Sequence, residues 1–95
     1  MPSFVIAQLE VFNKKIFVEY LRLVPKTIEA FEGKVIARGV SGTGLEGDWN
    51  PQNMVIIEFP STERANEWWS SQMYSKVKKI RERSAETKMV ILEEL

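Results

Sequence analysis

The feature that most constrains the fold is the order of hydrophobic patterns along a chain of 95 residues. Strand-like runs of apolar and β-branched side chains occupy residues 3–12, 34–40, 53–59 and 88–95. Apolar stripes at helical spacing fill the intervals 14–32 and 61–84. The predicted order is therefore β-α-β-β-α-β. Because so short a chain holds one core, we expect a single domain over residues 1–95. The expected fold is α+β and ferredoxin-like, a four-stranded antiparallel sheet with two helices on one face.

Capping residues and a proline set the predicted helix boundaries. Asn13 and Ser61 suit N-cap positions, since their side chains can accept hydrogen bonds from free backbone N–H groups. Gly33 suits the residue after the first helix, where a left-handed conformation is common. Pro25 interrupts the first stripe, which predicts either a kink or two short helices. A further break is expected near residues 70–71.

One face of this sheet has nothing predicted to cover it. If the helices lie over Val5, Ala7 and Leu9, the opposite face exposes Phe4, Ile6, Ile56 and either Ile91 or its neighbours. An apolar patch of this kind is rarely left in water. We therefore predict a homodimer in which two sheets pack face to face.

The composition excludes several kinds of chemistry. The chain has no Cys and no His, which rules out disulfides, thiolate nucleophiles, zinc–thiolate sites and His-based triads. Only an all-oxygen metal site remains, and the acidic pairs at 46 and 48 and at 93 and 94 lack the spacing of a calcium loop. The glycines of residues 42–47 match a dinucleotide pattern, but no helix is predicted to follow them. We predict no metal and no cofactor.

The charge balance argues against nucleic acid and membrane partners. Thirteen basic and thirteen acidic side chains cancel, which leaves no strong attraction for phosphate backbones or anionic lipids. The basic run KVKKIRER, residues 76–83, is interrupted by Glu82 and is interpreted as a solvated helix face. No apolar run approaches the ~20 residues that cross a bilayer. The N-terminal segment lacks the basic region of a signal peptide, so we expect a cytoplasmic protein.

Several segments together resemble a known family. They are MPSFVIAQLEV, YLRLVPKTIEAFEGK, LEGDWNPQ, VIIEFPS, ANEWW and RERSAE. Over nearly the whole chain these segments resemble the uncharacterised family DUF1330, and the run LEGDWNPQNMVIIEFPS is the most specific part. The resemblance implies a dimeric α+β barrel, in which two ferredoxin-like subunits pack sheet against sheet. Proteins of that architecture include small monooxygenases, muconolactone-isomerase-like proteins and haem- or chlorite-handling enzymes, whereas the family itself implies no established activity.

The chain departs from the family pattern at four places. Lys34 and Val40 stand where the family usually has glycine, Trp69 stands where it more often has tyrosine, and the usual proline near Gln72 is missing. A role that needs a tyrosine hydroxyl at position 69 is therefore not expected.

Glu58 and Arg38 are candidate site residues. Glu58 falls on the strand face predicted to line the dimer interior, and Arg38 lies in the adjacent strand. Opposite charges on one apolar face are seldom left unpaired. They form either a structural ion pair or a ligand clamp, with Gln8 as a third polar contact. In a clamp, Glu58 is the candidate catalytic base and Arg38 holds a carboxylate or enolate.

Trp68 and Trp69 cannot fill the same part of one core, because adjacent helical side chains point about 100° apart. We expect one ring in the core between helix and sheet and the other at its border, where Trp49 and Tyr74 could complete an aromatic-walled pocket. Trp69 is expected to be the wall, because the family tolerates a tyrosine at that position.

Two classes of function follow from these residues. One is a small enzyme, similar to a cofactor-independent monooxygenase or an isomerase, that acts on a small organic substrate between sheet and helices. The other is a non-catalytic module that binds a small organic ligand or only dimerises. Glu58 favours the enzyme and the absence of His weakens it, so the sequence leaves both open.

Overall fold

The computed structural model of the chain describes residues 1–93. Its elements, in chain order, are β1 Ser3–Val11, α1 Lys14–Ala30, β2 Lys34–Ser41, β3 Gln52–Phe59, α2 Thr62–Ser70, α3 Gln72–Glu82 and β4 Ala85–Glu93. The predicted order β-α-β-β-α-β is confirmed, with the second helical region divided into α2 and α3. The predicted last strand extends to residue 95, and residues 94 and 95 lie outside the described part of the chain.

The four strands form one antiparallel sheet in the order β2-β3-β1-β4. The edge strand β2 contains a bulge between Val35 and Ala37. Side chains from all three helices meet Val5 and Ile57 of the sheet in one buried cluster, so the helices cover a single face. This arrangement confirms the ferredoxin-like fold.

Hydroxyl and amide side chains begin the helices. Asn13, Ser61 and Ser71 each accept a hydrogen bond from the backbone N–H three residues later. Ser71 therefore ends α2 and begins α3, which gives the predicted break its physical cause. Helix α1 runs without interruption through Pro25, so the alternative of two short helices is wrong.

Gly33 has a different role from the predicted one. Glu32, and not Gly33, takes the left-handed conformation after α1, with φ of 63°. A Cβ atom at Gly33 would lie 2.6 Å from the ring of Phe59. Gly33 is needed because the chain passes close to a core aromatic ring as it enters β2.

Alternation along β1 gives the sheet one buried face. Val5, Ala7 and Leu9 are buried beneath the helices, as the sequence predicts. Ile91 pairs with Val5 across the sheet and therefore faces the same side. Of the two alternatives for the opposite face, the neighbours of Ile91 are the ones exposed there.

The opposite face of the sheet is apolar and has no helix over it. The register places Ile6 between Ile56 and Val90, with Phe4 beside Leu92. We call these five side chains the open face.

Within residues 1–93, no helix is long and apolar enough to cross a membrane.

Candidate functional site

A cavity of about 220 Å³ lies between α1 and the strands β2 and β3. Helix α1 packs mainly against α3, while α2 and α3 have the closer contacts with the strands. The edge strand β2 is left without a helix above it, and all of its residues are exposed. The floor of the cavity is formed by Ala7, Leu9, Val55 and Ile57. Its helical wall is formed by Phe17, Tyr20, Leu21, Val24 and Ile28.

Arg38 lies at the exposed β2 side of this cavity. It pairs with Val55 across the sheet, and Val55 packs against the helix-side core. Its side chain therefore belongs to the helix side of the sheet. Within residues 1–93, Arg38 is the one charged side chain that lines the cavity, and it takes part in no ion pair there. The cavity thus combines apolar walls with a single available cation.

Three buried polar side chains form a network next to the cavity. The Nη1 atom of Arg81 donates to the hydroxyl of Tyr74 over 2.9 Å. The Tyr74 hydroxyl lies 3.1 Å from that of Tyr20. Tyr20 belongs both to this network and to the cavity wall, so it joins α1, α3 and the cavity.

Burial raises the pKa of both tyrosines above the ordinary value of 10.0, and desolvation is the largest cause for each. Once Tyr74 ionises, its negative charge and the hydrogen bond that it then accepts from Tyr20 raise the pKa of Tyr20 further. Arg81 lowers the pKa of both groups, with a smaller effect than burial. Both phenols therefore stay protonated at neutral pH. They can donate and accept hydrogen bonds, but they cannot act as bases there.

Glu58 does not meet Arg38. Glu58 pairs with Phe4 across the sheet and so lies on the open face, as predicted, whereas Arg38 lies on the helix face. The Oε1 atom of Glu58 is 3.5 Å from Nζ of Lys34. The expectation that Glu58 and Arg38 form an ion pair or a clamp on one face is therefore wrong. The bulge in β2 lies between Lys34 and Arg38 and changes the face on which Arg38 falls.

The two adjacent tryptophans have different environments, as the helix geometry requires. Trp68 is 1% exposed and packs on the rings of Phe59 and Tyr74. Trp69 is 37% exposed and carries Nζ of Lys78 at 4.1 Å from its ring centroid. Trp68 is the core residue and Trp69 the border residue. The groove that Trp69 lines lies between α2 and the edge strand β4, apart from Arg38, while Trp68 reaches the cavity.

The structure separates the other candidate ligand contacts. Tyr74 is fully buried in the core, so it does not close the border of a pocket. Trp49 is 58% exposed in the segment between β2 and β3 and does not line the cavity. Gln8 lies on the other side of the sheet, in a polar depression with Asn50 and Gln52. These residues do not form one site with Arg38.

Tyr20 and Arg81 are the site residues that sequence reasoning missed. Tyr20 was one apolar position in a helical stripe, and Arg81 was one charge in a basic run. A signal for Arg81 exists in the sequence. Tyr74, Val77 and Arg81 are spaced as i, i+3 and i+7, which places them on one helix face, and all three are buried. Among residues 1–93, no cluster of three acidic side chains could hold a metal ion.

The comparisons with known proteins agree with this geometry at the level of fold. The family model described as a domain of unknown function, DUF1330, matches residues 2–95. The chain belongs to the DUF1330 family. No curated protein matches the sequence.

Three solved structures show how widely this DUF1330 fold is shared. A protein of unknown function from Rhodopseudomonas palustris is 20% identical, with a TM-score of 0.81 over 99% of this chain and 82% of the other. A dimeric ferredoxin-like protein of unknown function from Jannaschia sp. CCS1 is 10% identical, with a TM-score of 0.77 over 99% and 100%. SnoaB, a cofactor-independent oxygenase from Streptomyces nogalater, is 5% identical, with a TM-score of 0.71 over 99% and 93%. At these identities the likeness concerns the fold alone.

Proposed function

We propose that the protein binds a small, largely apolar organic anion, such as an aromatic carboxylate, in the cavity between α1 and β2. One observation carries the proposal: within the described residues, Arg38 is the one charged side chain of an otherwise mostly apolar cavity, and it is unpaired. A guanidinium binds carboxylate oxygens in a bidentate manner. The apolar walls favour the transfer of a ring from water.

The size of the cavity limits the ligand. About 220 Å³ is below the range of about 300–1,000 Å³ that is usual for sites of drug-sized ligands. Exposed Leu21 and Val40 border the cavity, so a ligand can extend outward over apolar surface. A compound of one or two rings with a single anionic group fits this description.

The cavity supports binding more strongly than catalysis. Arg38 and Tyr20 are the ionisable groups that line it within residues 1–93. A guanidinium does not lose its proton in proteins, and burial raises the pKa of the Tyr20 phenol. Glu58, the predicted catalytic base, lies on the opposite face of the sheet. The alternative of a non-catalytic ligand-binding module is therefore the function that the site favours.

A small enzyme is the second candidate, and the fold shared with the cofactor-independent oxygenase SnoaB supports it. Arg38 and the Tyr20 hydroxyl are groups that stabilise an enolate, so a substrate that loses its own proton to water would suit the cavity. β-Tetralone is such a probe. An enzyme should accelerate its exchange of deuterium or its uptake of oxygen, and Arg38→Met should remove the acceleration. If the wild-type protein accelerates neither reaction, ligand binding without catalysis is the function that remains.

We also propose that the chain forms a homodimer through its open face. Phe4, Ile6, Ile56, Val90 and Leu92 are apolar and have no helix over them. Four strands of about nine residues span about 30 by 19 Å, a projected area of roughly 570 Å², whereas each partner in a standard interface contributes ~800 Å² of accessible surface. Lys34 and Glu58 lie beside the apolar residues on this face and offer charges of both signs to a second copy. The cytoplasmic location stays a prediction.

Calorimetric titration with β-naphthoate tests the binding proposal. Arg38→Met should weaken the binding of β-naphthoate about tenfold, the effect expected for loss of a charge-assisted contact at an exposed site. Arg83→Met is the matched control, because Arg83 is exposed and does not line the cavity. Neither variant should change the affinity for β-ethylnaphthalene, which has no charge. Equal affinities of the two variants for β-naphthoate would contradict the assigned role of Arg38.

A further inference from the structure

Arg81 is a buried cation without a carboxylate partner. Only 6% of its surface is exposed, and no ion pair within residues 1–93 includes it. Its Nε atom has no hydrogen-bond partner there, and its Nη1 atom donates to the hydroxyl of Tyr74. Burying a charge in this way is costly. Within residues 1–93, the ring of Trp69, with its centroid 5.9 Å from Cζ of Arg81, and the hydroxyl of Tyr74 offset part of this cost, and Tyr74 connects the charge to a network that reaches the cavity.

Donor chemistry fixes the first hydrogen bond of the network, and the burial of the two phenols indicates the direction of the second. A guanidinium can only donate, so the Tyr74 oxygen is the acceptor of the first hydrogen bond. The Tyr74 hydrogen then has the Tyr20 oxygen as its acceptor within the described residues. The reverse assignment would leave without a partner the hydrogen of Tyr74, which is fully buried and away from the cavity, whereas this one leaves free only the hydrogen of Tyr20, which lines the cavity. The network therefore runs from Arg81 through Tyr74 to Tyr20.

The last hydrogen of this network belongs to Tyr20. Its oxygen accepts from Tyr74, and no acceptor within residues 1–93 takes its own hydrogen. Tyr20 lines the cavity, whereas Tyr74 and Arg81 do not. Successive hydrogen bonds polarise one another, so the cation at one end strengthens the donor at the other.

We infer that Arg81, acting through Tyr74, makes Tyr20 a dedicated hydrogen-bond donor to an acceptor oxygen of the ligand in the cavity. This inference rests on the proposed function and narrows its ligand class. The ligand carries a carbonyl, enolate or phenolate oxygen for Tyr20 in addition to an anionic group for Arg38. Small aromatic or alicyclic oxo acids and hydroxy acids with an acidic hydroxyl meet both requirements. Arg81 is a positioning residue, since it does not line the cavity.

The test compares two neutral probes of similar shape. β-Acetonaphthone has a carbonyl oxygen, and β-ethylnaphthalene has none. Calorimetry measures the affinity for both probes, and infrared spectroscopy measures the carbonyl stretch of bound β-acetonaphthone. The variants are Tyr20→Phe and Tyr74→Phe, which keep the rings, and the control Thr27→Val. Thr27 is a buried hydroxyl that bonds to the indole N–H of Trp68 and lies outside the network.

The wild-type protein should shift the carbonyl stretch to lower wavenumber than in an apolar solvent. Tyr20→Phe should abolish the shift and weaken the binding of β-acetonaphthone about tenfold, with no change for β-ethylnaphthalene. Tyr74→Phe should reduce the shift in part, because it disconnects Arg81 while Tyr20 remains. Thr27→Val should leave the carbonyl shift unchanged. This control distinguishes an effect of the hydrogen-bond network from an effect of lower core stability.

Two results would overturn the inference in different ways. If β-ethylnaphthalene binds but the carbonyl stretch is the same in the wild type and in Tyr20→Phe, the donor role of Tyr20 is wrong and the cavity remains a binding site. If neither probe binds the wild type, the binding proposal fails together with the inference.

Discussion

Trp68 is the larger of the two buried side chains of α2. Its ring packs on Phe59 and Tyr74, and its indole N–H donates to Thr27 over 3.0 Å. We expect Trp68→Ala to lower the free energy of unfolding by about 3–5 kcal/mol, because it leaves a large cavity and removes the buried hydrogen bond from the indole to Thr27. Trp69→Ala should lower it by roughly 1–2 kcal/mol, since its ring is partly exposed. Chemical denaturation of the two variants measures both values, and equal large losses would show that both rings serve the core.

The two tyrosines predict how stability depends on alkaline pH. The chain has only these two, Tyr20 and Tyr74, and burial raises the pKa of both above 10.0. The unfolded chain ionises its phenols near pH 10, whereas the folded chain does not. The contribution of the two protonated phenols to the free energy of unfolding is therefore complete below about pH 10. Above that pH it declines by up to about 1.4 kcal/mol per pH unit for each phenol.

Denaturation at about pH 8 and about pH 11 checks this expectation. The free energy of unfolding of the wild type should fall between these two pH values. In Tyr20→Phe, which keeps one of the two phenols, the fall caused by tyrosine ionisation should be about half as large. The ultraviolet absorbance of tyrosinate should appear only as the protein unfolds. Ionisation of either tyrosine near pH 10 in the folded protein would contradict the buried network.

At the scale of secondary structure, periodicity was enough to predict most of the fold. The alternation of β1 and the caps at Asn13 and Ser61 led to the correct elements and the correct buried face. These features depend on residues close together in sequence, so a pattern reveals them. The break at Ser71 was also predictable, because a serine hydroxyl competes for the backbone N–H groups of a new helix.

The site was less predictable because it depends on register. A bulge in β2 adds one residue and moves Arg38 away from the face of Glu58. No local pattern in KVIARGV marks the position of that bulge. The basic run of α3 is a largely solvated face, as its composition indicates, with Lys76, Lys79 and Arg83 exposed, but the phase of the helix places Arg81 among buried residues. Arg38 and Arg81 are therefore the two residues whose side in the fold was missed by sequence reasoning.

For the whole molecule, the open face predicts a dimer. Sedimentation at micromolar concentration should give twice the chain mass of 11.0 kDa. Val90→Glu should shift the protein toward the monomer, because it places a charge in the interface. Val18→Glu is the matched control, since Val18 on α1 is 62% exposed and Val90 is 58% exposed. A wild-type monomer, or the same response from both variants, would show that the open face is not the interface.

The cavity and the open face lie on opposite sides of one sheet, which separates the proposed ligand site from the proposed dimer interface. β1 forms part of both, because its alternate side chains point to the cavity floor and to the open face. A ligand in the cavity therefore does not have to compete with a second copy of the chain. This separation allows the location of ligand binding to be measured without disturbing the proposed dimer interface.

We propose that a small organic anion binds between α1 and β2, and this site can be located residue by residue. The most direct measurement is a titration of isotope-labelled protein with β-naphthoate, followed by backbone amide chemical shifts. Binding in the cavity should give the largest changes at Arg38, Val40 and Leu21, which line it. Changes confined to the open face around Ile6, or to the groove beside Trp69, would contradict it.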